Sequence, residues 1–173
     1  MKISSAREKF VAWWGEIGTK WGVNRTVAEI HALFYLSNEP LNAEGIAAAL
    51  AMSRSNVSAG VRELENWGLI TPMHFRGDRK QYFEAIKDPW EMFRVILDER
   101  KRREITPTMH TLRACLDDLT GSTPEDLYAR DRLRELLEFF EVMVPLYDEF
   151  RRLPGGPIHL LARVTAKVRE AIG

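Results

Sequence analysis

Apolar and polar positions alternate with a helical period along the segment from Ser53 to Trp67, and they form two separate stripes. Residues three or four positions apart lie on the same face of a helix. One face carries the apolar residues Val57, Val61 and Leu64. Another face carries Ser55, Ser58, Ala59 and Arg62. The pattern predicts a helix with one buried face and one exposed face that is rich in short side chains.

Both ends of this helix carry a recognisable signal. Ser53 is a candidate N-cap, because its hydroxyl can accept a hydrogen bond from a free backbone N–H of the first turn. Gly68 follows the last turn, at a position where a left-handed glycine commonly ends a helix. We therefore expect the helix to lie between these two residues.

Two shorter helical patterns precede this segment. The first covers residues 24–36 and has the apolar stripe Val27, Ile30, Leu33 and Phe34. The second covers residues 42–50, with Asn42 as a candidate cap and with Ile46, Ala49 and Leu50 able to pack on the next helix. Only Ala51-Met52 separates it from Ser53, and such a tight link is typical of a helix-turn-helix.

Two strands that flank a basic turn are predicted after Gly68. Residues 69–75 and 81–86 have the composition of strands, and Gly77-Asp78 between them is typical of a hairpin turn. The tip, Arg76-Gly-Asp-Arg-Lys80, is basic. Three helices followed by such a hairpin predict a winged helix-turn-helix. The fold class is therefore mostly α with a small β-hairpin wing.

The exposed face of the last of these helices suits the major groove of DNA. Short side chains let the backbone approach the bases, and Arg and Ser supply donors for base edges and phosphates. The wing tip would contact phosphates or enter the minor groove. We predict DNA contacts from Ser53, Arg54, Ser55, Asn56, Ser58, Ala59, Arg62, Arg76, Arg79 and Lys80. A polar surface helix and an ordinary solvated turn are the alternatives for these segments taken alone.

The rest of the chain is predicted to be helical. An N-terminal helix ending near Gly22 has the apolar stripe Phe10, Trp14, Ile17 and Trp21. Asp88-Pro-Trp-Glu and Thr123-Pro-Glu-Asp each combine a cap, a proline and a carboxylate, which is how helices begin. We expect the first of these helices to be interrupted near Pro107. The second should end at the Pro-Gly-Gly-Pro of residues 154–157, before a terminal helix at 158–172.

These segments predict three regions. Residues 1–22 form an N-terminal helix at a dimer interface, residues 23–87 a winged helix-turn-helix DNA-binding domain, and residues 88–173 a helical region for dimerisation and effector binding. Long helices after a small winged domain most often form a dimerisation arm, and a two-fold dimer would place two recognition helices about one DNA turn apart. A bundle within one chain is the alternative.

Charge and composition limit the kind of partner. The formal net charge is +0 and 45% of the residues are hydrophobic, so DNA binding would depend on a local patch rather than on overall basicity. Between Ser53 and Lys80, five basic residues stand against three acidic ones. The single Cys115 excludes an internal disulfide. Since no signal peptide or long apolar stretch is present, a cytoplasmic protein without a membrane span is expected.

No catalytic or metal-binding constellation stands out, so we expect neither an enzyme nor a cofactor or metal. The four histidines are scattered, and His110 and Cys115 do not share a helix face. The aromatic residues allow one ligand hypothesis, a cage that attracts a quaternary ammonium group. Its members would be Trp13, Trp14, Trp21, Trp90, Phe139, Phe140 and Tyr147. Packing in the core is the alternative role for these side chains.

Three stretches resemble GbsR-type transcriptional regulators, a branch of the MarR-like winged-helix proteins. They are residues 31–67, the wing ending Gly-Asp-Arg-Lys-Gln-Tyr-Phe-Glu, and the following Lys-Asp-Pro-Trp-Glu-Met-Phe. The resemblance implies a dimeric DNA-binding regulator, usually a repressor, with residues 53–62 as the reading helix and 76–80 as the wing. Some members of the family control uptake or synthesis of osmoprotectants.

The expected function is therefore a homodimeric, sequence-specific regulator of transcription that binds double-stranded operator DNA. We expect it to act as a repressor that a small molecule relieves, with choline and glycine betaine as candidate effectors. No motif marks the effector site. A winged-helix module that binds proteins instead of DNA is the alternative.

Overall fold

The computed structural model describes residues 4–152, which divide into two compact units between Ile96 and Leu97. The elements of the first unit are α1 (Ser5–Lys20), α2 (Arg25–Leu36), β1 (Leu41–Asn42), α3 (Ala43–Leu50), α4 (Arg54–Trp67), β2 (Ile70–His74) and β3 (Gln81–Ala85). Helix α5 (Pro89–Arg100) follows and runs past the division. The second unit continues with a π-helical turn (Lys101–Ile105), α6 (Thr106–Asp118) and α7 (Pro124–Arg152).

Side-chain caps begin α2, α3 and α5, and those of α3 and α5 were predicted from the sequence. Asn24 Oδ1 accepts from the backbone N–H of Thr26 at 2.9 Å, at the start of α2. Asn42 Oδ1 accepts from that of Gly45 at 2.9 Å, at the start of α3. Asp88 Oδ1 accepts from two backbone N–H groups in the first turn of α5. Each bond satisfies a donor that the helix itself leaves free.

The core of the first unit lies where α2, α3, α4 and the sheet meet. Ile30, Ile46 and Val57 are fully buried, one from each helix. Ile70 of β2 and Phe83 of β3 are also buried in this core. Burying a large aliphatic side chain contributes roughly 1.5–3 kcal/mol, so this cluster determines where α4 lies.

The sheet has three antiparallel strands in the order β1-β3-β2. Strands β2 and β3 form the predicted hairpin, with Pro72 opposite Phe83 at its centre. Strand β1 was not predicted, because two residues are too short to carry an alternating pattern. It places Leu41 opposite Phe83 and Asn42 opposite Tyr82. The predicted fold class, mostly helical with a small hairpin wing, is confirmed.

Helix α1 packs on α2 through small residues, and the predicted apolar stripe is only partly covered, with Phe10, Trp14 and Ile17 at intermediate exposure. Val11, Gly15 and Gly18 are buried, whereas Trp21 is 57% exposed. A Cβ added to Gly18 would lie 2.5 Å from the Cβ of Ala28. The two helices therefore approach more closely than a side chain at position 18 would allow. Because glycine is not counted as hydrophobic, the hydrophobic spacing of α1 does not show this buried face.

The helix that begins at Pro89 does not break near Pro107, contrary to expectation. The backbone widens into the π-helical turn and continues directly into α6. Proline lacks an N–H, and its ring collides with the carbonyl four residues earlier, which here belongs to Arg103. The wider turn that contains Arg103 accommodates the ring, so the chain remains helical.

Helix α7 begins with the predicted cap and exposes several large apolar side chains, among them Leu136, Phe139 and Leu146. The backbone N–H of Asp126 donates to Thr123 Oγ1 at 3.1 Å, and that hydroxyl donates to Asp126 Oδ2 at 2.8 Å. The break predicted at residues 154–157 and the helix predicted at 158–172 lie outside the described residues. Between residues 4 and 152, the helices are too short or too polar to span a bilayer.

Candidate nucleic-acid interface

Helix α4 has one buried face and one exposed face, as its sequence predicts. Ser53 Oγ accepts from the backbone N–H of Asn56 at 3.3 Å, and Gly68 ends the helix with a φ of 76°. Val57, Val61 and Leu64 are buried. All ten residues predicted to contact DNA are exposed, including the reading face of Ser55, Ser58, Ala59 and Arg62. Their role in DNA binding stays a prediction.

A sharp turn holds α3 and α4 in the helix-turn-helix arrangement. Ala51 ends α3 in the left-handed region with a φ of 51°, which is uncommon for a residue with a Cβ. The backbone N–H of Met52 donates to Ala47 O at 3.1 Å. This turn reverses the chain in two residues and leaves the start of α4 at the surface.

Gly60 brings α4 close to α2, and sequence reasoning missed it. A Cβ at this position would lie 2.5 Å from Cδ1 of the fully buried Ile30. Gly60 is itself buried between Val57 and Val61 on the same face. The available signal was a glycine on the buried face of a helix. Such a glycine lowers the helix propensity, so it is expected only where another element approaches closely.

The wing tip is organised by the Asp78 carboxylate. Its Oδ1 accepts from the backbone N–H of Lys80 and its Oδ2 from the Tyr82 hydroxyl, both at 2.9 Å. Gly77 turns the chain with a φ of 90°, and the rings of Phe75 and Tyr82 meet edge to face at 4.9 Å. Both hydrogen bonds to the ionised form help to lower the pKa of Asp78 below its usual range.

The predicted cations of the site differ in their partners. Arg54, Arg62, Arg76 and Arg79 are exposed, and none makes an ion pair with another residue between 4 and 152. Lys80 instead donates from Nζ to Glu44 Oε2 at 2.6 Å. The structure thus leaves four arginines available to a partner and joins Lys80 to the first turn of α3.

Two basic residues are associated with α2: Lys87 contacts its C-terminal end and His31 is part of the helix. Lys87 Nζ donates to Phe34 O and Ser37 O, both at 2.5 Å, and so satisfies carbonyls at the end of the helix. His31 is buried, and its Nε2 has no hydrogen-bond partner among the described residues. Burial, together with the charge of Lys87, lowers the pKa of His31 to about 4. The imidazole is therefore neutral at pH 7.

The second unit contains a groove of about 320 Å³ with mainly apolar walls. Its lining includes Leu97, Ile105, Phe139, Phe140, Met143 and Tyr147. Three of the seven residues of the predicted aromatic cage therefore meet here, while its four tryptophans belong to the first unit. Lys101 Nζ lies 6.0 Å from the centroid of the Tyr147 ring and donates to Asp148 at 2.6 Å. Burial raises the pKa of Tyr147 to about 12, and Asp98 adds to the effect.

Comparison with known proteins identifies the domain that contains α2, α3, α4 and most of the wing. Residues 21–81 match the MarR family. This part of the chain is similar to the MarR family. This confirms the predicted resemblance to MarR-like regulators, and every residue predicted to contact DNA lies within the matched range.

Curated relatives extend the likeness beyond residues 21–81. The chain is 23% identical over 154 residues to the HTH-type transcriptional repressor GbsR of Bacillus subtilis (strain 168), covering 87% of this chain and 85% of that protein. It is 23% identical over 157 residues to the HTH-type transcriptional repressor OpcR of the same organism, covering 87% and 83%. The family and these relatives are transcriptional regulators rather than enzymes, as the sequence predicted.

A solved structure shares the fold of this chain. It is a crystal structure of a transcriptional regulator that is 24% identical, with a TM-score of 0.67 over 83% of this chain and 94% of that chain. The likeness supports the winged-helix architecture.

Proposed function

We propose that the protein is a homodimeric, sequence-specific DNA-binding regulator of transcription, and that it acts as a repressor relieved by a small molecule. The observation that carries the proposal is the two-faced helix α4. Its apolar face packs in the core of the first unit, whereas Ser55, Ser58 and Arg62 are exposed and can contact another molecule. The names of the repressors GbsR and OpcR support the same function.

In this proposal α4 lies in the major groove and the wing lies along the phosphate backbone. Ser55, Ser58 and Ala59 let the helix backbone approach the base edges, and Arg62 donates to a base or to a phosphate. Arg76 and Arg79 contact phosphates beside the groove. Because phosphate contacts release counterions, the affinity should fall steeply as salt rises.

The proposed dimer is supported by the uncovered apolar face of α7. Leu136, Phe139, Met143 and Leu146 follow a spacing of three and four residues, and each is more than 40% exposed. A continuous apolar row of this kind is more than a monomeric protein usually leaves in water. A second copy that covers this row in a two-fold arrangement would place two α4 helices about one DNA turn apart.

The groove of the second unit is the proposed effector site. Its volume of about 320 Å³ is sufficient for a small ligand. Aromatic rings attract quaternary ammonium groups, and Lys101 already lies near the Tyr147 ring. Phe139 belongs both to the groove and to the exposed row. A ligand that binds one dimer arrangement better than another would therefore change the spacing of the α4 helices.

DNA binding can be tested by fluorescence anisotropy with a duplex from the region upstream of the protein's own gene. A scrambled duplex of equal length serves as the reference, and both are titrated across a salt series. The wild type should bind the upstream duplex more tightly, with an affinity that falls as salt rises. Arg62→Ala should weaken binding about tenfold, since a direct DNA contact is worth about 1–3 kcal/mol.

Arg7→Ala is the matched control, because it removes the same charge from an exposed position on α1. It should leave the affinity unchanged. Equal and weak binding of both duplexes by the wild type would contradict the proposal and favour the protein-interaction alternative. The same loss in both variants would assign Arg62 to general electrostatics rather than to a contact.

The effector part has its own experiment. Choline and glycine betaine are added at millimolar concentration to the complex of the protein with its upstream duplex. Release of the DNA by wild type, together with retention by Phe140→Ala, would support the groove as the site. An unchanged affinity with both ligands would remove these compounds as effectors without affecting the DNA-binding proposal.

A further inference from the structure

Glu44 is an acidic residue on the surface proposed to face DNA, and the fold places it beside Lys80. Strand β1 pairs antiparallel with β3, with Asn42 opposite Tyr82. If this pairing is continued by two residues along each chain segment, position 44 lies opposite position 80. The side chains do meet there, with Lys80 Nζ donating to Glu44 Oε2 at 2.6 Å.

Lys80 and Arg54 favour the charged form of the Glu44 carboxylate, and the Asp78 carboxylate opposes them. The hydrogen bond from Lys80 and the charges of Lys80 and Arg54 lower the pKa of Glu44 below its usual range. Arg54 is the first residue of α4, so Glu44 lies near the wing tip and near the start of the reading helix. Glu44 is also in the first turn of α3, where the helix dipole favours a negative charge.

The backbone of Lys80 is held while its side chain stays exposed. The Asp78 carboxylate accepts from the backbone N–H of Lys80 at 2.9 Å, which fixes the start of β3. The Lys80 side chain is 51% exposed. Its ammonium group can therefore either contact Glu44 or extend toward a phosphate. The conformation of the Lys80 side chain determines which of these two contacts forms.

We propose that Glu44 is a positioning residue for DNA binding: it holds Lys80 against α3 and so withholds one wing cation from the phosphates. The inference rests on the proposed DNA-binding function. Phosphate contacts strengthen binding to every sequence alike, whereas base contacts distinguish sequences. Withholding one phosphate contact therefore lowers the affinity for DNA of any sequence and makes binding less dependent on salt.

The test measures binding of a random-sequence duplex by the full chain across a salt series. Four proteins are compared: wild type, Glu44→Gln, Lys80→Gln and the double variant. Glu44→Gln should steepen the slope of log Kobs against log [salt] by about 0.9, the value for one additional phosphate contact. Lys80→Gln alone should keep the wild-type slope, and the double variant should return to it.

Glu39→Gln is the matched control for the loss of one negative charge. Glu39 is exposed and makes no ion pair within the described part of the chain. It should keep the wild-type slope. A gain in slope with this variant as well would assign the effect to net charge and overturn the inference.

Three further outcomes would overturn the inference alone. The first is a wild-type slope in Glu44→Gln. The second is a reduced slope in Lys80→Gln, which would mean that Lys80 already contacts a phosphate. If the gain of Glu44→Gln persisted in the double variant, Lys80 would have no part in it and the inference would also fail. Absence of binding by the wild type at low salt would overturn the proposed function itself.

Discussion

His31 should make the first unit lose stability in mild acid. The side chain is 4% exposed, and burial with the nearby charge of Lys87 lowers its pKa from 6.5 to about 4. The unfolded chain takes up a proton near pH 6.5, whereas the folded chain does so only near pH 4. The stability that depends on the neutral imidazole is therefore complete above the unfolded pKa, and it is lost as the pH falls from there toward 4.

The pKa shift determines the size of this effect. One pKa unit corresponds to about 1.4 kcal/mol. Integrating the difference in proton uptake between pH 7 and pH 5 gives a loss of about 2 kcal/mol in the free energy of unfolding. With a typical urea dependence of about 2 kcal/mol per molar for a small domain, the unfolding midpoint should fall by about 1 M urea.

The perturbation is His31→Leu, which removes the titrating group and the unpaired Nε2 while keeping a similar volume. Urea unfolding is followed by tryptophan fluorescence at both pH values, because all five tryptophans lie at or before Trp90 and so report on the first unit. The wild type should lose about 2 kcal/mol more between the two pH values than the variant does. His110→Gln removes an exposed imidazole from α6 and should behave like the wild type.

An equal loss in wild type and His31→Leu would refute this reasoning, since the acid sensitivity would then come from another group. An NMR titration gives a second and independent check. A midpoint near 6.5 for the ring of His31 would show that the folded protein does not keep the imidazole neutral.

Three further substitutions probe the packing around the candidate interface, each read by urea unfolding. Gly60→Ala should destabilise by about 1–2 kcal/mol, because the overpacking outweighs the gain in helix propensity. Gly45→Ala meets one atom at an ordinary contact distance and should stabilise α3 by up to about 1 kcal/mol. Ser53→Ala should lose about 0.5–1 kcal/mol with the N-cap, and Ser58→Ala on the exposed face should change stability by less than about 0.5 kcal/mol. Lys87→Met should lose about 1–3 kcal/mol with its charge-assisted hydrogen bonds, and it should also reduce the acid sensitivity of the imidazole.

Much of the local structure could be predicted because its causes lie close together in the sequence. Asn42, Asp88 and Thr123 cap helices through residues two or three positions away. The two faces of α4 follow from helical spacing alone. The break expected near Pro107 is absent, because the π-helical turn before it accommodates the proline ring and the helix continues.

The features that the sequence pattern missed depend on residues far apart in the chain. The buried face of α1 is set by the approach of Gly18 to Ala28 across two helices, which hydrophobic spacing does not record. The role of Gly60 depends on Ile30 in the same way. The pairing of Lys80 with Glu44 needs the short strand β1, whose two residues carry no pattern of their own.

The sequence by itself determined which segments of this protein are helices, where the wing turns and which face of α4 is left exposed. These features follow from hydrogen bonds and side-chain spacing within a few residues. Only the tertiary structure decided how closely the helices approach, which imidazole is kept neutral and which wing cation is neutralised. Packing distance, desolvation and ion pairing depend on groups that meet only after the chain has folded.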